Sequence, residues 1–207
     1  MNERMKMQLW IDHPRDIPGG LIVYLGYFDC QIDSEQSQII ADLIWSFKED
    51  EFVAFVATYL FNSAKWKTSE NLGWKSSLKK TFTRKYIFPN SVEYEWVIGT
   101  CPSAECLQET IYTGWNLSGN ESFIVALVKD LNEVLPSLDR TFQDGLETIE
   151  DNELQWVDYC PLVFSRDHDG LTLRIYTIRL NEPQLRQHLE LFLHSREIEL
   201  VLAGQPL

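Results

Sequence analysis

The segment that most narrows the folds open to this chain runs from Val92 to Ile98. Val92, Tyr94, Trp96 and Ile98 alternate there with Glu93, Glu95 and Val97. A period of two is the repeat of a β-strand, whose successive side chains leave on opposite faces. A strand needs neighbours for its backbone groups, so the rest of the chain has to supply a sheet.

Several other stretches read as strands. Met5, Met7, Leu9 and Ile11 alternate with Lys6, Gln8 and Trp10. The turn residues Pro14, Pro18, Gly19 and Gly20 follow. Leu21 to Phe28 is apolar on both sides apart from Gly26, as expected of a strand covered on both faces. The short connection predicts that these two strands pair antiparallel. Near the other end, Leu162–Phe164 and Leu171–Leu180 flank the turn-forming SRDHDG and read as a hairpin. The apolar phase of the second arm slips at Ile178 and Leu180, which predicts a bulge. Ile198, Leu200 and Leu202 complete a last short strand.

Helical spacing dominates the middle of the sequence. Asp33 or Ser34 is placed to cap a helix carrying Ile39, Ile40, Leu43, Ile44 and Phe47. After the charged break Lys48–Glu51, Phe52, Phe55, Val56, Tyr59 and Leu60 continue the helical period, as a bend or a second helix. A short helix is expected around Lys75–Thr83 and another over residues 103–115, with Leu107, Ile111 and Trp115 on its stripe. A further helix is expected from Glu121 to about Leu135, where Pro136 ends it. Asn181 caps a final helix with Leu185, His188, Leu189 and Phe192 facing inward. Strands towards both ends and helices between them, without βαβ alternation, predict an α+β fold with a mainly antiparallel sheet. With no repeat, low-complexity tract or Gly/Ser linker, residues 1–207 are read as one globular domain. At 44% apolar residues, a chain of this length can bury a core without disulfides or metal.

Charge is distributed unevenly. Residues 61–90 hold seven Lys/Arg and one acid, a balance of +6, while the other 177 residues carry −19. Trp66, Trp74, Phe82, Tyr86 and Phe88 are interleaved with those cations. Residues 139–158 hold seven acids against the single base Arg140.

Cations among aromatics are the residue types that track phosphates and stack on bases in single-stranded nucleic acid. Trp66, Trp74, Lys75, Lys79, Lys80, Arg84 and Lys85 are therefore candidate contacts for nucleic acid. The net charge of −13 argues against that partner and for a protein one, with the acidic surface meeting a basic partner. The segment also reads as an internal complement to the acidic stretch.

Signals for catalysis are weak. No phosphate-binding glycine loop, nucleophile elbow or His-Glu-x-x-His zinc motif occurs. His13 lies beside Asp12 and Asp16, and His168 between Asp167 and Asp169. Were the two loops to meet, His13, His168, Asp167 and Asp169 would be a candidate divalent-metal or acid–base site. Read singly, each is an ordinary turn. Glu93 and Glu95, about 7 Å apart along one strand, have glycosidase-like spacing but match the wet face of a strand better. His188 is expected in the core. Cys101, ahead of a helix, is read as an inert buried thiol in preference to an activated one. The four cysteines show no metal or redox spacing, and Asn116 and Asn120 open sequons by chance.

MNERMKMQLWID lacks an apolar run of signal length, and no stretch reaches membrane-spanning length. The expectation is a soluble, cytoplasmic, acidic protein-interaction protein of binding or inhibitor type, without catalytic activity or a cofactor. A nucleic-acid-associated protein and a metal-dependent enzyme are the alternatives.

Overall fold

A computed structural model describes residues 6–13, 20–26, 32–60, 76–85, 91–118, 123–130, 160–166 and 172–202. In chain order the elements are β1 (Lys6–Asp12), β2 (Leu21–Gly26), α1 (Ser34–Ser46), β3 (Phe52–Leu60), β4 (Ser76–Lys85) and β5 (Ser91–Cys101). There follow α2 (Ala104–Ser118), β6 (Phe123–Val128), β7 (Leu162–Arg166), β8 (Thr172–Thr177), α3 (Glu182–His194) and β9 (Glu199–Leu202).

The strands join one nine-stranded sheet in the order β4-β5-β3-β6-β7-β8-β2-β1-β9. Seven neighbouring pairs are antiparallel, and β9 runs parallel to β1. The expected α+β class with a mainly antiparallel sheet is therefore what the chain forms. The expected pairings β1–β2 and β7–β8 are both present, with Val23 across from Ile11 and Phe164 across from Ile175.

The sheet is larger than the sequence suggested, because three stretches expected to be helical are strands. Phe52–Leu60 is β3, so α1 ends at Ser46 and no second helix follows it. The expected short helix near Lys75–Thr83 is β4. In the stretch from Glu121, residues 123–128 are β6; positions 131–135 lie outside the described residues. The bulge expected in the second hairpin arm is absent as well. Register runs unbroken from Leu162↔Thr177 to Arg166↔Leu173, and the phase slip at Ile178 is the end of β8.

The three described helices share one face. Ile40, Leu43 and Ile44 of α1, Leu107, Ile111 and Trp115 of α2, and Leu185, Leu189 and Leu193 of α3 pack on the sheet. They meet Leu9, Val23, Leu25, Phe55, Val125, Leu127, Phe164 and Ile175. Burial of each such side chain stabilises the fold by about 1.5–3 kcal/mol. β6 and β7 are buried along their whole length, on both faces, which is why β6 is apolar without alternation; β7 buries the polar Ser165 and Arg166 beside its apolar residues.

Local chemistry fixes the helix ends. Asp33 and Gln36 form a capping box at α1, and Asn181 and Gln184 form another at α3. Asn116 joins α2 to the backbone ahead of α1, accepting from the Ile32 N–H at 2.9 Å and donating to its carbonyl at 3.0 Å. α3 closes in a Schellman arrangement: Ile198 N–H donates to Leu193 O and Glu197 N–H to His194 O. Glu197 holds the left-handed position there, at φ 60°.

Candidate functional site

The basic segment is where the sequence concentrated its functional signal, and the fold puts part of it at a boundary. β4 is the first strand of the sheet order and pairs, among the described residues, with β5 alone. Its sequence SSLKKTFTRK contains Lys79, Lys80, Arg84 and Lys85 and no acid. Ten residues at about 3.3 Å each give an edge roughly 33 Å long. Thr81, Phe82 and Thr83 supply the β-branched and aromatic residues that suit a strand.

Register places Lys79 across from Val97, Lys80 from Trp96, Arg84 from Val92 and Lys85 from Ser91. Glu93 and Glu95 stand across from Thr83 and Thr81, two positions along from Lys85 and Lys79. That setting beside a basic strand suits charge complementation better than glycoside chemistry. Trp66, Trp74 and Lys75 lie outside the described residues.

The metal or acid–base reading is only half visible. His13 lies just past β1, its Nε2 3.3 Å from a Glu182 carboxylate oxygen at the start of α3. Glu182 also accepts from Arg186 at 2.9 Å. His168, Asp167 and Asp169 lie outside the described residues.

One acidic group went unnoticed in the sequence. Glu49, Asp50 and Glu51 bring their carboxylates within 4.8 Å of one another at the start of β3. Arg179, just after β8, pairs with Glu49 and, at 2.7 Å, with the buried Glu51. A guanidinium already occupies the place that a cation would take, so the group reads as a tie between β3 and β8. The break Lys48–Glu51 was legible in the sequence; its partner, 128 residues away, was not.

The remaining candidates fit structural roles. His188 stacks on Phe47 at 4.0 Å between ring centroids, with Nε2 2.7 Å from the Ser46 hydroxyl. Desolvation holds its pKa below the ordinary value of 6.5, so the ring is neutral near pH 7. Burial pushes the Cys101 thiol up to about 12; the thiol donates to Thr110 Oγ1 at 3.4 Å. Burial pushes Cys160 to about 12 as well. Both thiols are inert as nucleophiles at neutral pH, as expected for Cys101. The Asn116 amide is held by the Ile32 backbone, in keeping with a chance sequon.

Among the described residues no helix is long and apolar enough to cross a membrane. No family model, curated protein or solved structure matches the chain.

Proposed function

We propose that this chain is a protein-binding protein whose contact surface is the basic outer strand β4. The observation that carries the reading is position: among the described residues, the cation-rich strand of an acidic chain is an edge of the sheet. An edge strand offers backbone donors and acceptors to an incoming chain, and its side chains set which chain is accepted. Four cations select an acidic partner.

The acidic surface is the weaker candidate for recognition. Asp42, Glu49, Glu51, Glu182 and Glu199 are each engaged in an ion pair within the fold. At these five of the chain's 31 acids, a basic partner would have to compete with internal pairs. Nucleic acid is disfavoured by its length: a long polyanion would meet the −19 carried outside residues 61–90 over far more of its charge than a short acidic segment would.

The test compares the natural chain with the quadruple variant K79E/K80E/R84E/K85E. Anisotropy of a labelled poly-glutamate decamer and of a labelled single-stranded RNA is read at about 50 and 200 mM salt, where ionic contacts differ most. Exposed charge pairs contribute about 0.2–1 kcal/mol each. Poly-glutamate should therefore bind the natural chain at least about fourfold more tightly than the variant, and less so at high salt. RNA binding that the variant loses would transfer the same surface to nucleic acid. Absence of binding to either probe would overturn the reading.

A further inference from the structure

We infer that the acidic partner of β4 docks as an added strand, in extended conformation, and that a second copy of this chain is refused at the same edge. The inference rests on the protein-binding reading above and specifies its mode.

Three observations carry it. First, β4 is a continuous ladder partner of β5 from Leu78↔Ile98 to Lys85↔Ser91, so its backbone is already held extended over eight residues. An antiparallel strand directs the N–H and C=O of every second residue away from its neighbour. About half of these residues therefore point their backbone groups outward, whichever parity the ladder takes.

Second, the same edge carries four cations and no acid. In an antiparallel pairing of two β4 strands, Lys79–Lys80 of one copy would approach Arg84–Lys85 of the other. Like charges directly opposite are destabilising in a sheet. An acidic strand in that place would set carboxylates opposite each cation pair instead. The charge pattern thus separates a foreign acidic segment from a second copy, a discrimination that serves both as protection and as recognition.

Third, the opposite edge does not offer the same opportunity. β9 has four residues, is parallel to β1, and packs against α3. Its exposed Glu199 is paired with Lys6 at 3.6 Å. Strand addition has one long site among the described residues, and it is the basic one.

The measurement that separates strand addition from simple ion pairing holds charge constant and removes backbone donors. Two labelled decapeptides, five Glu-Thr repeats and five Glu-Pro repeats, carry the same number of carboxylates. Proline has no N–H and cannot complete a ladder. Affinity of the natural chain for both is measured by anisotropy, and its mass by sedimentation equilibrium up to about 100 μM.

Glu-Thr should bind at least tenfold more tightly than Glu-Pro, with the free chain not associating through β4. Equal affinity for the two peptides would overturn strand addition while leaving an acid-binding protein. Binding of neither would overturn the protein-binding reading itself. Self-association abolished by K79E/K80E/R84E/K85E would overturn the exclusion of a second copy.

Discussion

The two edges of this sheet handle the same physical problem in opposite ways. Each presents a row of backbone groups that another chain can pair with. β9 keeps that row to four residues, sets it beside α3, and ties Glu199 to Lys6. β4 spans ten residues and carries four cations. One edge is short and partly exposed; the other is long and basic. On the proposed reading the long edge separates partners by charge, while the short one offers few backbone groups to any partner.

The largest effect is expected at the β9 end, where α3 lies beside the strand. Leu189 is fully buried on α3. L189A should cost about 2–5 kcal/mol. It should raise amide exchange across α3 and β9 before it raises exchange in β5. Uniform loosening, seen by exchange and by urea unfolding, would show that α3 does not specifically secure that edge.

At the β4 end charge is claimed to act, so removing it should alter association more than stability. K79T/K80T/R84T/K85T should change stability by within about 1 kcal/mol, because threonine is at least as compatible with a strand as the residues it replaces. Concentration-dependent self-association beyond that of the natural chain should appear by sedimentation. A variant that stays monomeric would mean that the cations do not guard the edge.

Smaller effects sharpen the account of α3. Glu197 occupies a left-handed position that costs a side-chain-bearing residue about 1–2 kcal/mol and that glycine adopts freely. E197G should stabilise the fold by about 0.5–1 kcal/mol, read from the urea midpoint, once the greater freedom of glycine in the unfolded chain is set against that gain. The smallest effect should be that of pH on the α1–α3 contact. His188 has its folded pKa depressed by desolvation, so the unfolded chain binds its proton more readily. Its contribution is intact above the unfolded value of about 6.5 and declines as pH falls through 6.5 toward the lower folded value. H188Q should flatten that part of the stability profile; an unchanged slope would assign it to other groups.

What was legible in the sequence follows the same division between local and long-range causes. The capping residues Asp33 and Asn181 announced α1 and α3, because a cap is decided within four residues. The alternation at Val92–Ile98 announced β5, and turn residues between apolar runs announced the β7–β8 pair. β3 was misread because Phe52, Phe55, Val56, Tyr59 and Leu60 fall at helical intervals by coincidence. With Val53, Ala54 and Phe55 all buried, there was no alternation to correct the error. β6 failed for the same reason, its six residues being buried on both faces. Apolar runs of this kind do not separate strand from helix by period. The concentration of cations in residues 61–90 was plain from the start, yet its meaning was not. Whether Lys79, Lys80, Arg84 and Lys85 sit inside a sheet or at its edge depends on a strand order set by the whole chain.

Strand addition at β4 is read directly by amide hydrogen exchange on β4 with and without the Glu-Thr decapeptide, with β9 as internal reference. In the free chain, alternate β4 amides, those directed away from β5, should exchange rapidly while the others are protected. Saturating peptide should protect the rapid set and leave β9 unchanged. Bound peptide with no new protection on β4, or equal protection on β9, would contradict the account.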